Sequence, residues 1–565
     1  MPSQREPART YALSEGLRSR IQGILDKYAI PGLSISVVRN HGGRWEEGVT
    51  TMGIRDGTGA PWEADSIHAI GSASKVFTAA SIGLLINRGT MLPDGQKLAW
   101  TTKIKDVLPD WKMMDKHTEG NADIEDALSM RLGLPANVLA FGAPDETAAK
   151  CIERMGQQTP VAPLRKAAIY TNDGFTLVGE VIAKLTGKPY HAFAKENILD
   201  PLGMTDSSFE RNEALRTRRR VEGFLHYGRD VERTRVALEK GEWAKEAHGE
   251  MSRMKYWNEG DGLYFAAAGG ISTTGTDMLR WLRETLDPQI LSDATLDELN
   301  RPRQAFGAVT PPHPSLSMNF YGLGQVTSYY RGHRMVSHGG GIPGHYSQVL
   351  RLPDDNITLA AFCNDDNYGA RMVGVASMMV VDELLGAEPI DWEEVYLCKG
   401  LKEESAPEKP PKPPRPSPHI AGRYHHPGYG TLIVTPLDDH PMGSIYADLL
   451  KEYPGYTIPL QPSGKVYLGD LQQGWPGRLV LAAWDGPIFR RDCLRAEELQ
   501  LMGERGGSRY AGFVWFRGKC VATEEGIGMF EDFWGQGGSH TGLEVSKCVK
   551  EDVEQKAEVW FRKIR

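Results

Sequence analysis

Ser72 and Lys75 stand three residues apart in Ile70-Gly71-Ser72-Ala73-Ser74-Lys75-Val76-Phe77-Thr78-Ala79-Ala80. A turn at 63–66 and a short extended approach over 67–70 lead into this stretch, and its Ala, Leu and Ile content predicts a helix over 75–86. Ser72 is thus expected at a helix start. There, unpaired backbone N–H groups and the positive end of the dipole favour a developing negative charge. A spacing of three puts both side chains on one face of the first turn. A serine hydroxyl becomes a nucleophile when a neighbouring base takes its proton, and a lysine whose charge is disfavoured by burial is such a base. An isolated Ser-x-x-Lys is more often an N-cap serine followed by an exposed lysine, so the remainder of the chain decides between the two.

Two more elements belong with this pair. Tyr170-Thr171-Asn172 precedes Asp173-Gly174-Phe175 and a helix predicted over 175–185. A tyrosine there relays protons if a lysine ammonium lowers its pKa. Asn172 has the groups to donate to a substrate carbonyl and to accept from Lys75. The second element is Val336-Ser337-His338-Gly339-Gly340-Gly341, followed by Ile342-Pro343-Gly344-His345. Glycines on a strand let a substrate lie against the backbone. The N–H groups of Gly341 and Ser72 then suit an oxyanion hole.

In this order, Ser-x-x-Lys, Tyr-x-Asn and His-x-Gly, the motifs resemble those of the serine β-lactamase and penicillin-binding-protein-like hydrolases. The resemblance is strongest to the class C β-lactamase, D-aminopeptidase and esterase branch. It extends over about residues 13–386, with Pro31-Gly32-Leu33-Ser34-Ile35-Ser36-Val37-Val38 similar to the family's first strand, Asp200-Pro201-Leu202-Gly203-Met204-Thr205 to its Pro-Leu-Gly-Met turn, and Ala268-Gly269-Gly270-Ile271-Ser272-Thr273 to its Ala-Gly-Gly element. The resemblance implies an α/β (α+β) β-lactamase/transpeptidase-like domain, an antiparallel sheet flanked by helices. It implies a cofactor-free, metal-free enzyme that takes a small acyl substrate, an ester or amide, onto Ser72. Lys75 and Tyr170 would share the proton, with either as the principal base. Asn172, His338, Gly339, Gly340 and Gly341 would hold the substrate and its oxyanion. Hydrolysis and acyl transfer use the same residues.

Two other matches to these motifs stand apart from this set. Tyr256-Trp257-Asn258 lacks the Asn-Asp-Gly-aromatic turn into a helix, and His540-Thr541-Gly542 lies beyond a linker, away from any Pro-Gly flank. Ala127-Leu128-Ser129-Met130-Arg131-Leu132-Gly133-Leu134 departs from the family, with Met130 and Leu132 where relatives often carry His and Ser. That departure keeps a non-catalytic binding or scaffold protein as the alternative class. His338 in place of a lysine removes a permanent charge for a substrate carboxylate, which favours an esterase, peptidase or acyltransferase over an antibiotic hydrolase.

The elements that must position these residues begin with a helix over 13–28, stopped by Pro31-Gly32, and a hairpin of strands at 33–38 and 44–51. A helix is predicted over 124–132, and the charged stretch 211–262, with Arg216, Arg218, Arg219 and Arg220, reads as a solvated helical face. Strands at 322–328, 335–338, 345–352 and 357–364 and a helix at 372–385 follow. Strands at both ends of a helical middle predict one mixed sheet, its first strands beside its last.

The 565 residues exceed one ordinary domain. Residues 1–398 read as the catalytic domain. Residues 399–418, with seven prolines among Lys and Glu, form an extended linker. Residues 419–565 carry short β-rich runs between Gly and Pro turns, expected to form a lipocalin-like sheet or small barrel. Its glycine-rich segment 535–540, with Trp534 and His540, is expected to reach back over the catalytic mouth and set substrate access. A net charge of −8 offers no basic field for nucleic acid, and six cysteines without Cys-x-x-Cys spacing fit a reducing compartment. With no apolar run of signal or membrane-span length, the expectation is a cytoplasmic protein that binds neither nucleic acid nor membrane.

Overall fold

The computed structural model of the chain describes every residue except 1–5, 137–146, 211–216, 244, 255–262, 403–414, 453–465, 472–477, 502–507, 532, 534–551 and 565. A nine-stranded sheet forms its first unit, with Arg44–Gly53, Gly32–His41, Ile357–Cys363, His345–Leu352, His333–Ile342 and Val326–Tyr330 adjacent in that order. Gly32–His41 pairs antiparallel with Ile357–Cys363, from Leu33 opposite Cys363 to Arg39 opposite Ile357. The first and last strands of the unit are therefore neighbours, as the strand–helix–strand pattern predicts.

Period-two alternation gives the sheet two dry faces. Along Ile357–Cys363, Leu359, Ala361 and Cys363 join the core under helices Glu15–Tyr28 and Gly369–Leu385. Ala360 and Phe362 face the opposite way, into a second core shared with Phe77, Leu84 and Trp281. That second core holds the helix Lys75–Asn87, eleven of whose thirteen residues are buried. A helix apolar on all sides belongs in such a core, and this burial governs the chemistry at its first residue.

Local signals set the boundaries. Ser14 caps the first helix by accepting from Leu17 N–H, and Ala29 ends it in the left-handed region. The helix expected over 124–132 stops at Leu128. Asp123 and Asp126 form a capping box at its start, and Met130, at φ +64°, turns the chain out of helical geometry. The charged stretch after residue 211 is also not one helix. Arg219 pairs with Asp65 and Asp206, and strands Phe224–Tyr227 and Glu250–Met254 flank a helix at Val231–Glu239.

Eight strands between Gly422 and Lys563 close into a barrel, sealed where Arg478–Asp485 pairs with Ile488–Leu501. The latter strand outruns its partner, and its end at Leu499–Leu501 pairs with Ser252–Met254 of the first unit. On another side Val161 packs against the barrel core. The proline-rich stretch expected as a linker lies largely outside the described residues, as does the segment 534–540. At its described end, Arg415 forms a bidentate pair with Asp485 at 2.9 and 3.0 Å.

Candidate active site

Gly71–Ser74 forms a single 3₁₀ turn running directly into Lys75–Asn87. Gly71 has φ +50°, and a side chain on it would stand 2.8 Å from Gly341 N, so only glycine lets these two segments meet. Ile70 N–H donates to Ile271 O at 3.0 Å and Ile271 N–H to Ser74 Oγ at 3.1 Å, fixing the turn to the Ala-Gly-Gly segment. Ser72 remains half-buried, whereas Lys75 is wholly buried.

Lys75 Nζ has three close neighbours. It donates to Asn172 Oδ1 at 2.5 Å and to Ala268 O at 2.6 Å, and it lies 3.1 Å from Ser72 Oγ. Burial holds its pKa well below the ordinary lysine value. A neutral amine has two N–H donors and one lone pair. The two carbonyl oxygens take the donors, and the lone pair is left for the Ser72 hydroxyl.

Tyr170 reaches the same oxygen, donating to Ser72 Oγ at 2.7 Å. The segment carrying it is pinned to the turn after Leu128: Ile169 N–H donates to Met130 O at 2.9 Å and Thr171 N–H to Met130 Sδ at 3.3 Å. Arg165 and Arg131 both clasp the buried Asp126 carboxylate beneath it. Met130, the departure from the family pattern, is thus a tether for Tyr170. Asn172 occupies the N-cap of helix Asp173–Thr186 yet makes no side-chain cap bond there, which leaves its amide for Lys75. Burial raises the Tyr170 pKa by disfavouring a phenolate, so with Lys75 uncharged the phenol keeps its proton and donates it to Ser72 Oγ.

His338 is buried beside Tyr170, the ring centroids 6.1 Å apart. Its Nδ1–H donates to Gly339 O at 2.5 Å, and Tyr321 O–H donates to Nε2 at 3.0 Å, which fixes the tautomer. Burial lowers its pKa to about 3, so the ring is neutral. The three glycines differ. A Cβ on Gly340 would lie 1.8 Å from Ile70 O; one on Gly341 would meet the Tyr346 ring at 3.0 Å; one on Gly339 would meet the Gln348 side-chain tip at 3.3 Å and Ser347 O at an ordinary 3.7 Å. Ser347 O–H donates to Ile70 O at 2.8 Å, completing the seam between strand and nucleophile loop.

Ser72, Lys75, Tyr170 and Asn172 therefore converge through direct contacts, with Gly340 and Gly341 against the nucleophile loop. His338 sits behind Tyr170, and the missing side chain of Gly339 bears on the far side of the strand. Tyr321, which belongs to none of the motifs, and the carbonyl of Ala268, the first residue of the Ala-Gly-Gly element, complete the hydrogen-bonding of the site. The alternative matches at 256–258 and 540–542 lie outside the described residues. Among the described residues no helix is long and apolar enough to cross a membrane, and the five described cysteines are free and buried.

A family model described as Beta-lactamase matches residues 17–376. An unguisins hydrolase of Aspergillus campestris is 26% identical over 461 residues, covering 77% of this chain and 80% of that protein. Penicillin-binding protein 4 of Amycolatopsis lactamdurans is 23% identical over 381 residues, 65% of this chain and 88% of that protein. The octameric penicillin-binding protein homologue from Pyrococcus abyssi superposes over 91% of this chain and 97% of its own at a TM-score of 0.52 and 17% identity. A span of that length takes in barrel as well as sheet, so the likeness in fold extends beyond the first unit.

Proposed function

This chain belongs to the beta-lactamase family, and we propose that within it the protein is a serine hydrolase that opens an amide or ester through an acyl-enzyme on Ser72. The observation that carries this reading is the triple contact of Lys75 Nζ with Asn172 Oδ1, Ala268 O and Ser72 Oγ. Lys75 accepts the Ser72 proton as Oγ bonds to the substrate carbonyl carbon. The carbonyl electron pair moves onto oxygen, which the backbone N–H groups of Ser72 and Gly341 hold. When the tetrahedral species collapses, the proton on Lys75 passes by way of Tyr170 to the departing nitrogen or oxygen, and Ser72 is left acylated. Water then gives its proton to the same pair, its oxygen attacks the acyl carbon, and Ser72 regains its hydrogen. Asn172 steers the Lys75 lone pair, and His338 keeps Tyr170 in place from behind.

Water as the acyl acceptor is supported by the relative named as an unguisins hydrolase. Neutral His338 offers no fixed charge to a substrate carboxylate, which supports a neutral amide or ester rather than an acidic substrate. Labelling with a fluorophosphonate, followed by peptide mapping, tests the reading: modification belongs on Ser72. Absence of labelling in folded protein contradicts it.

A further inference from the structure

Tyr170 meets the nucleophile with its hydroxyl and three other rings with its own. Phe306, Tyr321 and His338 stand at centroid distances of 6.3, 6.3 and 6.1 Å from it. Burial separates the three. Tyr321 is wholly buried and His338 nearly so, and the two bond to each other. Phe306 is only partly buried, as are Tyr170 and Ser72. Of the described rings around Tyr170, Phe306 is thus the one within reach of a substrate.

The backbone holds Phe306 in that place. Gln304–Phe306 is the outermost strand of the nine-stranded sheet and pairs antiparallel with Asn319–Tyr321, Phe306 opposite Asn319. Just before it, Arg303 N–H donates to Tyr321 O at 2.9 Å. The Phe306 ring meets that of Tyr321 edge-on at 5.1 Å, and residues 307–310 run on into solvent. Phe306 is therefore a rim residue, one side against buried rings and the other exposed. The neighbouring cations are committed elsewhere: Arg303 pairs with Glu298 and Glu125, and Arg301 with Glu298. The wall made by Phe306, Tyr170 and Tyr321 offers apolar contact without charge.

The route of the proton decides which half of the substrate lies along this wall. It reaches the leaving atom by way of Tyr170, so that atom comes within about 3 Å of the Tyr170 oxygen. The acyl chain departs from the carbonyl carbon in another direction. We propose that Phe306 determines specificity for the leaving group, packing against an apolar, above all aromatic, substituent on the departing alcohol or amine. The proposal rests on the acyl-enzyme reading and adds to it the class of leaving group.

Three esters test this. Methyl acetate and benzyl acetate share the acyl group and release alcohols of similar basicity, whereas methyl acetate and methyl phenylacetate share the alcohol. The measurement is kcat/KM for each on wild type, Phe306→Ala and Phe306→Leu. Wild type is expected to prefer benzyl to methyl acetate. That preference is expected to fall about fivefold in Phe306→Ala, the scale of one aromatic contact. It should fall less far in Phe306→Leu, which keeps apolar bulk at the sheet edge and serves if the alanine variant does not fold. The ratio of phenylacetate to acetate is expected to hold. Absence of a benzyl preference in wild type would overturn the proposal, as would an unchanged preference in the variants or a phenylacetate ratio that falls as far. Fluorophosphonate labelling is read alongside: any of these outcomes with Ser72 labelled removes the leaving-group subsite alone. A folded wild type that stays unlabelled would overturn the acyl-enzyme reading, and this one with it.

Discussion

Lys75 Nζ and Ser72 Oγ stand 3.1 Å apart, and the two other neighbours of that amine, Asn172 Oδ1 and Ala268 O, are acceptors that cannot donate. An ammonium would satisfy all three oxygens, but at the cost of burying a charge. The neutral amine satisfies both carbonyls and keeps a lone pair for Ser72. Burial disfavours the ammonium, and the proposed transfer of the Ser72 proton to Lys75 rests on that.

The pH dependence follows from that choice. The base works when Lys75 is neutral, so kcat/KM is expected to rise with pH through one proton loss, at a pKa well below that of ordinary lysine, and then to level off. Tyr170, raised by burial, adds no alkaline loss near neutrality. Lys75→Arg, permanently charged, should lose at least about 10³-fold at every pH. A steady-state profile with an alkaline limb in wild type, or a Lys75→Arg enzyme restored at high pH, contradicts this assignment.

Tyr170→Phe keeps the ring against Tyr321 and His338 and removes only the bond to Ser72 Oγ. Turnover should fall by about 10²-fold or more, with KM changed far less, because a proton relay acts mainly beyond the bound state. Steady-state kinetics on an activated ester check this. Turnover within a factor of about two of wild type would leave Lys75 acting alone.

Neighbouring glycines should respond unequally. Gly340→Ala drives a Cβ to 1.8 Å from the Ile70 carbonyl and must move the nucleophile turn. A displacement of that kind costs about 10²-fold in rate. Gly339→Ala presses on the flexible end of Gln348 at 3.3 Å, with Ser347 O at an ordinary 3.7 Å, and should stay within about twofold of wild type. Equal losses at the two positions would show that the strand is not seated on the turn as described.

Much of this site was legible because its chemistry needs particular side chains at fixed local spacing. Ser72 and Lys75 are one turn apart, Tyr170 and Asn172 adjoin a helix start, and Gly340 sits on a strand that touches the nucleophile loop. The adjacency of Gly32–His41 and Ile357–Cys363 was likewise readable from apolar strands at both ends of a helical middle. Tyr321 was not, since a distant aromatic joins the site only through tertiary packing, and the Ala-Gly-Gly element was legible as a stretch without its Ala268 carbonyl being assigned to Lys75. The helix expected over 124–132 ended early because the Met130 backbone adopts φ +64°, which no propensity signals. Pairing of Leu499–Leu501 with Ser252–Met254 joins two strand edges whose side chains announce no partner.

That pairing and the packing of Val161 on the barrel core give the barrel a hold on both sides of the site. Met254 Sδ lies 3.2 Å from a Cβ position on Gly344, at the turn ending the glycine strand. On the other wall, Val161 N–H bonds Gly133 O in the segment that tethers Tyr170. Ending the chain before Lys399 is expected to raise kcat/KM for bulky esters relative to short ones, with Ser72 still required. The measurement is the ratio of the two in a truncated protein that still melts cooperatively. An unchanged ratio would make the barrel a passive neighbour.

Intact-mass spectrometry after brief exposure to an activated ester tests the central claim most directly. Wild type should gain the mass of one acyl group, mapping to Ser72, while folded Ser72→Ala gains none. An equal adduct on Ser72→Ala, or none on wild type that turns the ester over, would remove Ser72 as the nucleophile.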